Sequence, residues 1–170
     1  MTREKIELLE EELAGLKLAA GHLAYSMERC SSLLGLEDLP PEQLERLESL
    51  TSRFARLADL LMQRIFRLMD EVELTGSGTL LDRIYRAEKR GWGEARAMIG
   101  IRELRNLIAH EYSNDKMQEI YAAVAEMSTV LLAIVPKVTM YADSLDDIGH
   151  DRPDFRRPTP AGCVYKVSRR

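Results

Sequence analysis

Apolar residues recur at steps of three and four along most of this chain, and that spacing is the strongest constraint on its fold. The first segment carries the pattern most clearly, at Ile6, Leu9, Leu13, Leu16, Ala20, Leu23 and Met27. Steps of three and four place residues on one face of an α-helix, whereas a half-buried strand alternates apolar and polar residues. Alternation never lasts beyond a few residues in this sequence. The spacing therefore predicts an all-α fold.

Residues that start or stop helices divide the chain into five amphipathic segments. The predicted helices cover residues 6–34, 41–74, 79–90, 94–112 and 115–141. Thr79 and Asp82 are spaced for a capping box at the start of the third helix, and Gly91 ends it. Pro136 is predicted to end or kink the fifth helix. Short loops between long helices favour antiparallel neighbours, so we expect an up-and-down antiparallel bundle of four to five helices.

The composition changes near the C-terminal end. Beyond residue 142, Asp, Arg, Pro and Gly become frequent and the helical period of apolar residues is lost. A chain of 170 residues fits one domain, which is large enough to bury a core without disulfide bonds. We therefore predict a helical bundle over residues 1–142 and an irregular, extended or poorly ordered tail over residues 143–170.

Charge and cysteine content limit the classes of protein to which this chain can belong. The net charge of −4 excludes a globally basic nucleic-acid-binding protein, although a local basic patch remains open. Cys30 and Cys163 lack metal or redox spacing, which indicates free thiols in a reducing compartment. The N-terminal segment lacks the apolar region of a signal peptide, and no stretch of 18 apolar residues occurs. These features predict a cytoplasmic protein without a membrane span.

The second predicted helix carries a strip of four arginines on a face away from its apolar stripe. These residues are Arg53, Arg56, Arg64 and Arg67. On an ideal helix they fall within about 80° of one another. Two interpretations stay open for the strip. It is either a solvated face paired with nearby acids such as Asp70 and Glu73, or a surface that contacts a nucleic-acid backbone.

The end of the fourth predicted helix holds the chain's one cluster of reactive side chains. Asn106 and His110 are four residues apart and share a helix face, and Arg102 lies one turn before Asn106. Arg105 is offset from His110 by about 140°, so these two side chains meet poorly within one helix. Two copies of the helix packed about a two-fold axis would bring them together.

These residue types suit the metal-independent cleavage of RNA. A histidine such as His110 moves protons near neutral pH, and Arg105 is a fixed cation for phosphate oxygens. In such a reaction the RNA 2′-hydroxyl attacks its own 3′-phosphate. His22 and His150 have no partner at metal-ligand spacing, and no motif indicates a cofactor. The alternative interpretation of His110 is structural, since a histidine near a helix C-terminus is stabilised by the helix dipole.

The string from Arg105 to Tyr112 reads R-N-x-x-x-H-x-Y and resembles the signature of the HEPN superfamily. The closest likeness is to the HepT-like toxins that pair with minimal nucleotidyltransferase (MNT) antitoxins. Residues 81–89, the Gly-Trp break and Arg102 before the motif agree with it, and the resemblance covers about residues 1–142. It implies a homodimeric helical bundle with the motif residues at the interface. It also implies a metal-independent endoribonuclease in a type VII-like toxin–antitoxin system.

The resemblance assigns roles to single residues. It makes Arg105 and His110 catalytic and gives Asn106 a supporting polar role, with Arg102 available to contact the RNA backbone. It further implies that the partner nucleotidyltransferase transfers AMP from ATP to Tyr112. The added charge and bulk would then repel an RNA phosphate from the site. The alternative for Tyr112 is a core or interface aromatic residue.

Two features depart from the family pattern, and two other functions stay open. Residues 143–170 have no counterpart that we recognise, and Glu111 places an acid between His110 and Tyr112. Some HEPN-like chains are non-catalytic partners that help a nucleotidyltransferase hold its substrate. A helical scaffold or dimerisation module is the third interpretation. The presence of Arg105, Asn106, His110 and Tyr112 together favours the ribonuclease.

Overall fold

The computed structural model describes residues 3–36, 38–110 and 114–150, and every regular element in these ranges is helical. The elements are α1 (Arg3–Cys30), α2 (Pro41–Asp59), a π-helical segment (Leu60–Ile65), α3 (Phe66–Val72), α4 (Leu80–Lys89), α5 (Ala95–His110) and α6 (Asn114–His150). Because α2, the π-helical segment and α3 follow one another without a break, the described chain forms five helical rods. The predicted all-α bundle is confirmed.

Local signals set the helix ends largely as predicted. The Thr79 backbone N–H donates to the Asp82 carboxylate at 2.8 Å, and the Asp82 N–H donates to the Thr79 hydroxyl at 3.3 Å. This pair is the expected capping box of α4. Gly35 and Gly91 have φ values of 79° and 78°, the left-handed conformation that reverses the chain after a helix. The predicted breaks at Gly35, before Thr79 and at Gly91 are therefore confirmed.

The fifth rod differs from the prediction at its C-terminal half. Pro136 lies inside α6. This helix does not end at Pro136 or at Tyr141 and continues to His150. Pro136 itself is exposed, whereas Val135 and Val138 beside it are buried in the core. Packing of these neighbours outweighs the backbone hydrogen bond that proline cannot make. The predicted domain boundary at residue 142 thus falls within a helix, and residues 151–170 lie outside the described residues.

The apolar faces of α1, α2, α5 and α6 meet in one core. Its fully enclosed side chains include Leu16, Leu23, Leu50, Phe54, Met98, Ile101 and Leu131. Residues 117–145 of α6 are long and apolar enough to span a membrane by length and composition alone. In this fold, however, α6 packs against α1, α2 and α5, as the core helix of a bundle does. On α4, Leu81 and Tyr85 lie outside this core and are 40% and 51% exposed.

A buried carboxylate joins three of the rods. Asp70 of α3 is 3% exposed and accepts hydrogen bonds from Arg86 Nε at 3.0 Å and from Arg90 Nη2 at 2.9 Å. Arg90 also donates to Glu73, which in turn accepts a hydrogen bond from the Tyr141 hydroxyl of α6. Burial alone would lower the pKa of Arg90, but its bonds to Asp70 and Glu73 raise it. The two carboxylates therefore keep the Arg90 guanidinium charged in spite of its burial.

An aromatic cluster packs beside this network. The Trp92 ring is 5.4 Å from Phe66 and 5.3 Å from Tyr141 between centroids. The Arg90 guanidinium lies 5.0 Å from the centre of the Trp92 ring, within cation–π distance. The same loop is fixed from α4, because the Glu88 carboxylate accepts the Ala95 backbone N–H at 2.7 Å and so caps α5. The start of α5 is thereby held against α3 and α6.

Replacing Asp70 with Ala should strongly destabilise the protein. The change leaves Arg86 and Arg90 without their shared acceptor in a buried site, which costs about 3–5 kcal/mol in unfolding free energy. Arg67→Ala is the matched control, because Arg67 pairs with Glu71 at 3.7 Å on the surface and should contribute below about 1 kcal/mol. Urea unfolding followed by circular dichroism measures both. Equal losses for the two variants would contradict this account of the network.

Candidate functional site

An open cavity of about 970 Å³ lies between the α2–π-helical rod and α5. Its walls come from α2, the π-helical segment, the first residue of α4 and the second half of α5. The lining residues are Arg56, Ala58, Asp59, Leu60, Met62, Gln63, Arg64, Leu80, Arg102, Arg105 and Asn106. We call it the arginine cavity. Three residues of the predicted cluster, Arg102, Arg105 and Asn106, therefore share one concave surface.

The π-helical segment shapes one wall of the arginine cavity. The backbone N–H of Phe66 bonds to the Leu61 carbonyl, five residues back, which widens this turn of the helix. The segment buries Leu61 and Ile65 in the core and turns Gln63 and Arg64 towards the cavity. A single turn thus serves both the core and the site, as π-helical turns often do at functional positions.

Arg105 is the best-fixed side chain of the arginine cavity. Its Nη2 donates to Asp59 Oδ2 at 2.8 Å, across from α5 to the end of α2. Its Nε is buried and has no hydrogen-bond acceptor among the described residues. Both side chains are partly exposed, at 36% for Arg105 and 41% for Asp59. Arg105 is therefore held in place by the Asp59 carboxylate.

The arginine cavity is a local basic site on an acidic protein. Four arginines line it against one aspartate, whereas the whole chain has a net charge of −4. Arg56 and Arg102 make no ion pair with the residues that the structure describes, and Asn106 is exposed beside them. Guanidinium groups bind phosphate and carboxylate oxygens in a paired geometry. The arrangement suits a ligand that carries phosphate groups.

The predicted strip of four arginines is divided in the structure. Arg56 and Arg64 line the arginine cavity, and Arg64 also pairs with Glu12 at 2.8 Å. Arg53 instead turns to α1, where it donates to the Ser26 hydroxyl at 2.6 Å. Arg67 lies apart and pairs with Glu71, one turn along its own helix. The solvated interpretation thus describes Arg67, while Arg56 and Arg64 keep the nucleic-acid interpretation.

His110 lies apart from the arginine cavity. It is the last residue of α5 and is exposed, and it is not among the described residues that line the cavity. Among the described residues, His110 therefore does not line the cavity that holds Arg105, in agreement with their offset on the helix. Glu111 and Tyr112 lie outside the described residues, so their predicted roles stay predictions.

The other candidate groups are placed away from the cavity. Cys30 is buried and its thiol donates to the Arg46 carbonyl; burial raises the pKa of that thiol. His22 is exposed on α1 and lines a separate, smaller pocket. Cys163 and the side chain of His150 lie outside the described part. Within that part, no three His, Cys, Asp or Glu residues cluster in a way that fits a metal ion.

Sequence reasoning missed Asp59 and the apolar floor formed by Met62 and Leu80. Asp59 is 46 residues from Arg105, so no spacing pattern links them. No protein-family model, curated protein or solved structure matches the chain. The likeness to the HEPN signature therefore depends on the motif residues and their surroundings alone.

Replacing Asp59 with Asn should increase the affinity of the arginine cavity for anions. The change removes the one negative charge among the described residues of the lining, at hydrogen-bond distance from Arg105. We expect tripolyphosphate to bind roughly twofold to tenfold more tightly at low ionic strength, and the gain to shrink with added salt. Isothermal titration calorimetry measures this. Asp38→Asn is the control, since exposed Asp38 precedes the far end of α2 and carries the same charge; equal gains in both variants would refute a local effect.

Proposed function

We propose that the protein is a metal-independent endoribonuclease and that the arginine cavity holds the phosphates of its RNA substrate. One observation supports this most: Arg102, Arg105 and Asn106 line a single cavity together with two arginines of the neighbouring rod. A polyanion gains from such a cluster because each arginine offers paired donors to phosphate oxygens. Arg105 and Asn106 of the motif, with Arg102 before it, would thus contact the RNA backbone in this proposal.

The reaction proceeds by internal transfer at a phosphate of the RNA. The 2′-oxygen forms a bond to the adjacent phosphorus, and the bond from phosphorus to the 5′-oxygen breaks. His110 takes the 2′-hydroxyl proton, and the leaving 5′-oxygen gains a proton. Arg105 stabilises the extra negative charge on the phosphorus oxygens as it develops. The products are a 2′,3′-cyclic phosphate and a 5′-hydroxyl end, and no step requires a metal ion.

The proposed chemistry uses two copies of the chain. Arg105 faces the arginine cavity while His110 lies exposed at the end of the same helix. Two α5 helices packed about a two-fold axis would place the His110 of one copy near the Arg105 of the other. The exposed side chain of Leu107, 45% accessible beside Asn106, supplies apolar surface for such packing. We therefore propose a homodimer with α5 at its interface.

The resemblance supports a toxin whose activity a partner controls. In this proposal an MNT-type nucleotidyltransferase attaches AMP to Tyr112: the phenol oxygen bonds to the α-phosphorus of ATP and pyrophosphate leaves. Tyr112 follows His110 by two residues, so the new phosphodiester adds negative charge beside the proposed catalytic histidine. Repulsion of the RNA phosphate then inactivates the enzyme.

A second function is supported by one observation. His110 is separate from the arginine cavity, and the Arg105 guanidinium already has a carboxylate partner in Asp59. A chain that only binds phosphate-bearing ligands needs no histidine at that cavity. This arrangement fits a non-catalytic partner that helps a nucleotidyltransferase hold its substrate.

Purified, unmodified protein should cleave RNA in the presence of EDTA, and Arg105→Ala or His110→Ala should each lower the rate at least about 100-fold. Arg96→Ala is the matched control, because Arg96 is an exposed arginine of α5 outside the arginine cavity. The assay follows a fluorescent RNA on a denaturing gel, with the cyclic phosphate identified by mass spectrometry. Absence of cleavage by protein without an adenylyl group would favour the non-catalytic partner instead.

Tyr112→Phe should abolish AMP transfer to the chain. Phenylalanine lacks the oxygen that attacks ATP, so incubation with the partner nucleotidyltransferase and α-labelled ATP should leave the variant unlabelled. Tyr85→Phe is the control, because Tyr85 is another exposed tyrosine, 51% accessible on α4. Intact-mass spectrometry measures the adenylyl group directly. Labelling that survives Tyr112→Phe would place the modification at another residue.

A further inference from the structure

A second, smaller pocket adjoins the arginine cavity on the side of α1. Its volume is about 320 Å³, and its lining is Ala19, His22, Ser49, Ser52, Arg53 and Arg56. Arg56 lines both pockets, so they lie next to each other along α2. This second lining holds two arginines and no carboxylate. A phosphate chain leaving the arginine cavity past Arg56 therefore meets further positive charge there.

Arg53 is fixed in position at the edge of this second pocket. Its Nη1 donates to the His22 carbonyl at 3.1 Å and to the Ser26 hydroxyl at 2.6 Å. No acid among the described residues pairs with it, and its other nitrogens have no acceptor there. A guanidinium that is already positioned loses little side-chain entropy on binding a phosphate. Arg53 is thus prepared for an anion, although its bonds to α1 are structural.

The exposed ring of Tyr25 lies beyond Arg53. Tyr25 is 56% accessible, and the guanidinium groups of Arg53 and Arg29 lie 5.9 Å and 5.8 Å from its ring centre. An accessible aromatic ring next to arginines is the arrangement that binds unpaired bases, since the ring stacks on the base and the arginines neutralise the backbone. The core has no need of this ring, because α1 packs through Leu16, Leu23 and their neighbours.

We propose that Tyr25, Arg53 and Arg56 form a second nucleotide subsite for single-stranded RNA that is bound in the arginine cavity. Arg53 and Arg56 hold a backbone phosphate, and Tyr25 stacks on an unpaired base. This inference rests on the proposed function, because it assumes that the cavity binds RNA. It goes further in two ways: the RNA substrate is single-stranded, and it runs from the arginine cavity across α2 towards α1.

The geometry selects unpaired RNA over a duplex. Bases in an A-form helix are stacked on each other and cannot reach a protein ring, whereas loops and single strands offer their faces. The charge distribution also selects this route. A third pocket shares Ala19, His22 and Arg56 with the second one. It extends along α1 to Glu11 and Glu12 beside Arg64, which would repel a phosphate, whereas the described lining at Arg53 contains no acid.

The test is equilibrium binding of RNA that cannot be cleaved. A fluorescent single strand of roughly ten nucleotides, with every 2′-hydroxyl methylated, is titrated with the full chain and followed by anisotropy. Tyr25→Ala should weaken binding roughly fivefold to 100-fold, as loss of one stacked base does, and Tyr25→Phe should restore it. Tyr85→Ala, which removes an exposed tyrosine on α4 outside both pockets, should leave the dissociation constant within about twofold.

The outcomes separate this inference from the proposed function. A Tyr25→Ala loss in a protein that cleaves no RNA would support the subsite and contradict the ribonuclease. Cleavage by the wild-type protein with unchanged binding by Tyr25→Ala would overturn the subsite alone. The loss should vanish with a dinucleotide, which fills only the arginine cavity. A tighter complex with duplex RNA, an equal loss in Tyr85→Ala or no binding of RNA by the wild-type protein would each overturn the subsite.

Discussion

The fold depends on one buried carboxylate more than on any other polar group. Asp70 is almost fully enclosed and shares its oxygens between Arg86 and Arg90, which joins α3 to α4 and to the loop before α5. A buried ion pair contributes little net stability, but an unpaired member is costly, so the arrangement strongly disfavours other packings of these rods. Glu73 connects this network to α6, because its carboxylate accepts a hydrogen bond from the Tyr141 hydroxyl. Asp70 and Glu73 together therefore join three rods through Arg86, Arg90 and Tyr141.

The network around Asp70 also positions the walls of the arginine cavity, because it fixes α4 and the start of α5. Leu80, the first residue of α4, forms part of the cavity floor, and α4 is fixed by Arg86. The loop that follows carries Trp92, which packs between Phe66 and Tyr141 and sets where α5 begins. The arginines of α5 are thus placed opposite α2 by a network that contains none of them. The side chains of Arg86 and Arg90 are 23% and 9% exposed, whereas those of Arg105 and Arg64 in the cavity are 36% and 59% exposed.

Helices and their ends could be predicted from the sequence, because periodic apolar residues and caps act over a few residues. The capping box at Thr79 is such a local signal, and it is confirmed. Contacts between distant residues could not be predicted, since no spacing rule links Asp59 to Arg105 or Asp70 to Arg86. The predicted end of the fifth helix at Pro136 was wrong for a similar reason: a local preference was outweighed by burial of its neighbours. Arg102, Arg105, Asn106 and His110 could be grouped from the sequence because all four lie on one helix.

In α5, the residues that stabilise the fold differ from the residues that belong to the candidate site. Asn106 and His110 are exposed, and Arg105 is about one-third exposed, so the core does not depend on them. In the same helix Met98 and Ile101 are fully buried and hold α5 in the bundle. A charge added near the exposed end of α5 would therefore change what the surface binds while leaving the packed half of the helix in place. Control by modification at that end, as proposed for Tyr112, requires this division between the two halves of one helix.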